Sequence, residues 1–301
     1  MVQRLTVLGA GSWGTALAIH MGRVGHDVHL WARDAQLVAS MIKHRQNSAY
    51  LPRFVLPESV VPTASLEQAL AISTCVVVAV PSHGARTVIQ KASVFLPTGV
   101  PIVSAAKGLE PGRMRRMSQV IEEEVGGASP VAVLSGPSFA AEVARELPTA
   151  VLVASREPSL IKLVQEEFRS KYFRLYASND VIGVELGGAL KNVIAIAAGV
   201  VESLGLGNNA LAGLITRGLA EMTRLACAVG GRRETLAGLS GLGDLVLTCT
   251  GALSRNRKVG LELGTGRSLD AILGEMKMVA EGVRTTGAAL ALGAQYGIEL
   301  P

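Results

Sequence analysis

Arg4-Leu5-Thr6-Val7-Leu8-Gly9-Ala10-Gly11-Ser12-Trp13-Gly14-Thr15-Ala16-Leu17-Ala18 is the stretch that decides the fold. A short apolar run meets a GxGxxG turn and passes at once into helical periodicity. Each glycine answers a separate need: Gly9 permits the tight turn, Gly11 lets the backbone approach a pyrophosphate, and Gly14 lets the helix lie close to the strand. The helix that follows presents unpaired N–H groups and the positive end of its dipole to phosphates. In a chain with 34 glycines the motif alone says little. The strand before it and the helix over Thr15–Met21 after it supply the context it needs. They point to dinucleotide binding, against the plainer alternative of a glycine-rich turn that merely packs.

Outward from that turn, β-rich runs near 4–9, 27–32, 74–80, 100–104, 130–135, 148–154 and 172–176 alternate with helical patterns such as Ala35–His44 and Arg113–Val125. Cys75-Val76-Val77-Val78-Ala79-Val80 is almost continuously apolar, as a parallel strand covered on both faces requires. The helices between complete right-handed crossovers. After Ser178-Asn179-Asp180, a cluster of helix-capping residues, the periodicity is helical only: 180–203, 208–229, 232–238, 244–250, 255–264, 268–274 and 281–296. The expected fold class is α/β, an N-terminal Rossmann doubly wound sheet over residues 1–180 followed without a linker by an all-α domain over 181–301. The end at Gly297-Ile298-Glu299-Leu300-Pro301 is abrupt for an apolar domain, so C-terminal truncation is expected. Glu122-Glu123-Glu124 reads as a solvated helix face.

Composition narrows the function. A net charge of +5 favours an anionic partner, but the 29 basic residues are dispersed and not interleaved with aromatics, which argues against nucleic acid. Cys75, Cys227 and Cys249 are far apart and form no CxxC, as expected of reduced thiols in the cytosol. The five histidines show no metal-ligand spacing, and no metal is expected. The longest apolar run, Val193–Val201, falls far short of the ~20 residues that span a bilayer. A protein of the cytoplasm, without membrane insertion, is expected, and the apolar helical domain is compatible with a homodimer.

The second strand ends Leu30-Trp31-Ala32-Arg33-Asp34. An acid at this place binds the ribose hydroxyls of NAD, whereas the Arg33 guanidinium can grip a 2′-phosphate and stack on adenine. NADP(H) is therefore favoured, with NAD(H) still usable; Asp34 reads as the opening of the next helix. Val80-Pro81-Ser82 can support the nicotinamide side or be a plain proline turn. Lys107, between small residues in Ser104-Ala105-Ala106-Lys107-Gly108-Leu109, stands where a strand end meets a phosphate. Ser135-Gly136-Pro137-Ser138-Phe139-Ala140 offers backbone N–H groups and a hydroxyl to substrate.

Glu185-Leu186-Gly187-Gly188-Ala189-Leu190-Lys191-Asn192 is the most specific pattern after the glycine turn. Helical side chains lean toward the helix N-terminus, so Lys191 reaches over Gly187 and Gly188 across a surface bare of side chains. Two glycines inside a helix cost about 1 kcal/mol each against alanine; either room for substrate or close helix packing explains them. Asp244, in Gly241-Leu242-Gly243-Asp244-Leu245, either caps a helix or orients Lys191 and binds a substrate hydroxyl. Ser254-Arg255-Asn256 reads as an N-cap and first turn able to hold an anion, or as an exposed basic turn. Together these residues describe a site for a small phosphorylated carbonyl compound reduced by hydride, with Lys191 as proton donor. Lys107, Arg255 and exclusion of water are expected to lower its pKa.

With these segments in hand, the chain resembles the soluble, bacterial type of NAD(P)-dependent glycerol-3-phosphate dehydrogenase over essentially its whole length. The markers are GAGSWGTALA at 9–18, LWARD at 30–34, SAAKGLE at 104–110, LSGPSFAAEV at 134–143, ELGGALKNVIAIAAG at 185–199, GLSGLGDLVLTCTG at 238–251 and LSRNRKVG at 253–260. The resemblance implies that Ser12, Trp13, Arg33, Lys107, Ala140, Arg255, Val279 and Glu281 contact the cofactor, with Tyr50 in a loop nearby. It implies that Lys107, Gly136, Ser138, Lys191, Asp244, Ser254, Arg255 and Asn256 bind glycerol phosphate, and that Lys191 is the proton acceptor. The implied reaction interconverts dihydroxyacetone phosphate and sn-glycerol 3-phosphate for phospholipid synthesis. Two rivals stay open: a dehydrogenase of the same plan acting on a hydroxy acid, and a non-catalytic NADP(H) sensor that has no need of Lys191 and Asp244.

Overall fold

Among the described residues, eight strands form one sheet: β1 (Arg4–Leu8), β2 (Asp27–Trp31), β3 (Val60–Thr63), β4 (Cys75–Val78), β5 (Ile102–Ser104), β6 (Val131–Ser135), β7 (Thr149–Ser155) and β8 (Phe173–Ser178). Their spatial order is β3-β2-β1-β4-β5-β6-β7-β8. The structure is a computed structural model and describes residues 2–276 and 278–301. The chain direction across the sheet reverses between β1 and β4, and a crevice for ligands opens at the carboxyl ends of such strands. The sheet helices are α1 (Ser12–Val24), α2 (Ala35–His44), α3 (Leu66–Leu70), α4 (Ser82–Ser93), α5 (Met117–Glu124), α6 (Ala140–Ala144) and α7 (Pro158–Phe168).

The apolar run in β4 is buried on both sides. Cys75 and Val77 join Leu5, Val7 and Leu17 in one core, while Val76 and Val78 join Leu70, Ile89 and Val120 in the other. Alternate side chains point to opposite faces of a strand, so a strand between two helical layers needs apolar residues at every position.

Four sequence expectations are corrected here. β3 has no counterpart among the predicted strands, because Val60-Val61-Pro62-Thr63 is short and holds a proline. Pro62 is tolerated because β3 lies at the sheet edge, pairing with β2 alone. β7 runs antiparallel to β6, not parallel. Only the five-residue α6 separates them; a helix of that length rises about 7.5 Å, less than half of what is needed to climb back along a five-residue strand. The Glu122–Glu124 run is not simply solvated. The Arg86 guanidinium pairs with Glu123 and Glu124, and with both carboxylate oxygens of Glu110. The helix expected from Arg113 begins only at Met117, after an isolated bridge between Leu109 and Arg116.

From Val181 on the described chain is helical: α8 (Val181–Ser203), α9 (Gly207–Ala228), α10 (Arg233–Ala237), a π-helical turn (Leu239–Gly243), α11 (Asp244–Thr250), α12 (Arg255–Gly264), α13 (Leu269–Glu275) and α14 (Glu281–Gln295). α8 is the axis on which α9, α11, α12 and α14 pack. By length and composition it is apolar enough to cross a membrane, which the run Val193–Val201 alone did not suggest, yet 67% of its apolar window is buried inside the fold. Its buried residues include Glu185, Lys191 and Asn192.

Glu185 joins α8 to the sheet half. Its carboxylate accepts from the Ser118 N–H and hydroxyl, each at 2.7 Å, and from the buried Arg116 guanidinium. A buried ion pair of this kind is costly to break on one side, about 3–5 kcal/mol.

Candidate active site

The glycine turn satisfies the three needs read from its sequence. Gly9 has φ +113°, and a Cβ there would lie 2.8 Å from the Ala79 carbonyl oxygen. A Cβ on Gly14 would lie 1.9 Å from the Gly9 oxygen, whereas one on Gly11 would meet nothing within 4 Å among the described residues. Gly11 therefore faces open space at the start of α1, which has neither a side-chain cap nor an acid in its first turn. From beneath, the buried Asn47 amide donates to the Ala10 oxygen and the Thr15 hydroxyl, each at 2.8 Å, and accepts from the Tyr50 N–H at 3.1 Å. Ser12 Oγ donates to the Tyr50 carbonyl at 2.7 Å. Among the described residues, Trp13 Nε1 is buried without a partner. Uncapped N–H groups, an open glycine face and an orphaned indole N–H fit a bound dinucleotide. Asn47 was missed because its partners are identifiable only from the folded loop.

At the end of β2, Arg33 is exposed and Asp34 caps α2, accepting from Gln36 and Leu37 at 2.8 and 3.2 Å. Asp34 thus has the helix-opening place its sequence suggests.

Across the crevice, one carboxylate gathers two lysines. Lys191 Nζ donates to Asp244 Oδ1 at 2.7 Å and to Thr248 Oγ1 at 2.7 Å. Lys107 Nζ donates to Asp244 Oδ2 and to the Gly136 carbonyl, both at 2.7 Å, with Ser138 Oγ at 3.4 Å. Gly136 turns its carbonyl there at φ +136°, a left-handed conformation suited to glycine. Asp244 is 1% exposed and is the first residue of α11, whose N-cap is Gly243; its carboxylate does not cap the helix but is spent on the two lysines. Thr248, one turn later, donates its hydroxyl to the Asp244 carbonyl at 2.6 Å and so presents a lone pair to Lys191. Its i+4 spacing from Asp244 was the available signal for a residue the sequence reasoning passed over.

Burial pushes the Lys191 ammonium down to about 8; Lys107 adds to that, and the Asp244 carboxylate opposes it. Arg255, expected to share in the shift, is not among the leading charges acting on Lys191, which are Asp244, Lys107 and Cys249. Burial lowers the Arg255 guanidinium, against the opposing charge of Glu281. Burial also raises the neighbouring Cys249 thiol to about 12, leaving it neutral.

The two glycines before Lys191 have a different role from the open floor expected of them. A Cβ on Gly187 would lie 2.6 Å from the Ser240 carbonyl, and one on Gly188 2.6 Å from Ser135 Oγ. They admit the π-helical turn and the β6 end to the surface of α8, so close packing is their reason.

Ser254 caps α12 by accepting from the Arg257 N–H at 3.2 Å, which puts Arg255 and Asn256 in the first turn as the sequence suggests. Asn256 is tied on both sides: Nδ2 donates to Asn192 Oδ1 at 2.9 Å, and Oδ1 accepts from the Gly282 N–H at 2.9 Å. Ala140 begins α6, Val279 is half-buried ahead of α14, and Glu281 opens α14 with its carboxylate on Ser82. The fold therefore gathers Lys107, Gly136, Ser138, Lys191 and Asp244 into one cluster and links Asn256 to α14. Arg33 is exposed after β2, and its charge reaches His83 at the start of α4, as does that of Glu281.

A doubly wound sheet with this glycine turn, backed by a helical half that buries a lysine on a carboxylate, defines a dinucleotide-dependent oxidoreductase of the two-part dehydrogenase class. Residues 4–161 match the family described as NAD-dependent glycerol-3-phosphate dehydrogenase N-terminus, and residues 180–301 match its C-terminus. The chain belongs to the NAD-dependent glycerol-3-phosphate dehydrogenase family. A glycerol-3-phosphate dehydrogenase [NAD(P)+] of Thioalkalivibrio sulfidiphilus is 52% identical over 297 residues, 99% of this chain and 89% of the relative. The crystal structure of glycerol-3-phosphate dehydrogenase from Coxiella burnetii superimposes with a TM-score of 0.96 at 42% identity, covering 100% of this chain and 92% of that one. The Saccharomyces cerevisiae enzyme superimposes with a TM-score of 0.82 at 28% identity, covering 98% and 92%.

Proposed function

We propose that this protein interconverts dihydroxyacetone phosphate and sn-glycerol 3-phosphate with NADP(H), and less readily with NAD(H). Residues 1–180 form the dinucleotide-binding half and 181–301 the substrate-binding and catalytic half, with each site completed by residues of the other. The observation that carries the reading is Lys191, a buried ammonium lowered to about 8 and held by Asp244 and Thr248. An ammonium has three donors; with two engaged, the third is left for the substrate oxygen.

Bound nicotinamide supplies or accepts the hydride. Lys191 gives a proton to the carbonyl oxygen during reduction and takes it back during oxidation. Asp244 fixes the position of both lysines, and Lys107 binds substrate beside Gly136 and Ser138. Ser254, Arg255 and Asn256 hold the phosphate at the start of α12, where unpaired N–H groups favour an anion. Gly9, Gly11, Ser12, Trp13 and Gly14 receive the pyrophosphate side of the dinucleotide. Tyr50, Ala140, Val279 and Glu281 line it, and Arg33 holds the 2′-phosphate. The product supplies phospholipid synthesis in the cytoplasm, and the protein works as a homodimer without membrane insertion.

The test follows NADPH oxidation on adding dihydroxyacetone phosphate, with NADH and the Lys191→Ala protein in parallel. Turnover that depends on Lys191 is expected. Tight NADPH binding without turnover would overturn the substrate assignment and favour a sensor or a hydroxy-acid enzyme.

A further inference from the structure

Helix α4 starts at Ser82 after Pro81, and no side chain of its own neighbourhood caps it. The cap comes from the far end of the chain. Glu281, the first residue of α14, accepts the Ser82 N–H at 3.0 Å on one carboxylate oxygen and the Ser82 hydroxyl on the other. A carboxylate is favoured there by the exposed N–H groups and the helix dipole. Ser82 is 2% exposed. The loop of Lys107 presses against the same pair, since a Cβ on Gly108 would lie 2.6 Å from Ser82 Oγ and 3.0 Å from Glu281 Oε2.

The contacts continue on both sides of Glu281. The Gly282 N–H donates to Asn256, which donates to Asn192, the neighbour of Lys191. In the other direction Met278 Sδ lies 3.1 Å from Ser12 Oγ, in the dinucleotide turn. Residues 278–282 therefore reach from the glycine turn to the substrate-side asparagines, and the Ser82–Glu281 pair ties them to the sheet half.

We propose that Ser82 is a positioning residue that acts through Glu281, fastening residues 278–282 across the dinucleotide cleft and so setting the affinity for NAD(P)H. The inference rests on the dinucleotide-dependent dehydrogenase reading above, but its test does not need turnover. Because neither Ser82 nor Glu281 hydrogen-bonds to Arg33, NADPH and NADH are expected to be affected alike.

The experiment is a double-mutant cycle on the full chain, Ser82→Ala, Glu281→Ala and the pair together. NADPH and NADH Kd values are read by quenching of tryptophan fluorescence, and thermal melts check folding. Ser82→Ala is expected to raise both Kd values about tenfold, the effect of losing a hydrogen bond to a charged group. It should raise KM for the dinucleotide while kcat holds. The double variant should bind no worse than Glu281→Ala alone, as for residues acting through one contact. Ser82→Cys, which keeps a weak donor, should fall between wild type and Ser82→Ala, and it carries the test if the alanine variant fails to fold. An unchanged Kd in a folded Ser82 variant, or losses that multiply in the double variant, would overturn the proposal. A wild type that binds NADPH but leaves dihydroxyacetone phosphate untouched would sink the substrate reading and leave this cycle to be decided on its own.

Discussion

The dinucleotide turn follows β1 and the lysine–aspartate cluster draws on the ends of β5 and β6, but the two are built in opposite ways. The turn is made from neighbours along the chain, and its demands are on backbone shape: a left-handed Gly9, an open Gly11 and a Gly14 pressed on the Gly9 carbonyl. The cluster joins Lys107 to Asp244 across 137 positions and Lys191 to Asp244 across 53. Its demands are electrostatic, because two ammonium groups and one carboxylate are taken out of water and must satisfy one another. A turn fails by collision. A buried charge cluster fails by leaving a partner unpaired.

The largest expected effect tests the cluster. Lys191→Ala should lower kcat by about 10²–10⁴, the usual worth of a positioned proton donor, while NADPH still binds. A variant that keeps its turnover would break the assignment of Lys191.

The turn is tested by two substitutions that look alike in sequence and differ in space. Gly14→Ala forces a methyl group against the Gly9 carbonyl and should destabilise the protein by about 1–3 kcal/mol, as overpacking does, on top of lost NADPH binding. Gly11→Ala meets open space, so its melting temperature should stay near that of wild type while NADPH affinity falls. Equal melting temperatures for the two variants would contradict the close approach at Gly14.

The pH profile sharpens the electrostatic side. Lys191 is cationic below about 8 and neutral above it. Reduction needs the cation, so kcat for dihydroxyacetone phosphate should fall as pH rises through about 8, and kcat for glycerol phosphate oxidation should rise over the same span. Profiles of both directions that are flat between pH 7 and 9 would count against a lysine lowered by burial.

The smallest effect lies at the edge of the turn. Arg33 is exposed, and Arg33→Ala should raise the NADPH KM by about tenfold, the value of one charge-assisted hydrogen bond, with the NADH KM little changed. Equal changes for the two nucleotides would remove the 2′-phosphate role.

How much of this was legible in the chain follows the same division. The glycine turn, the apolar β4 run and the helix ends at Asp34, Asp180 and Ser254 each declare themselves within a few residues, because backbone conformation and capping are local properties. The edge strand β3 hid behind Pro62, whose tolerance depends on having no neighbour on its outer side. The reversed β7 could not be read from an apolar run that looks alike in either direction. Gly187 and Gly188 announced that side chains were unwelcome, but not that Ser240 and Ser135 were what they admit.

Local chemistry thus accounts for the α/β class, the change to helices after Ser178, the dinucleotide turn and the residue types of the active centre. The folded chain accounts for what lies between them: Asp244 shared by two lysines, Thr248 completing the Lys191 contacts, Asn47 beneath the turn and Glu281 capping a helix whose own neighbourhood supplies no cap. The reason is physical. Propensity and periodicity act over a turn or two of backbone, whereas the desolvation that lowers Lys191, and the pairing that makes its burial bearable, exist only where distant segments exclude water together.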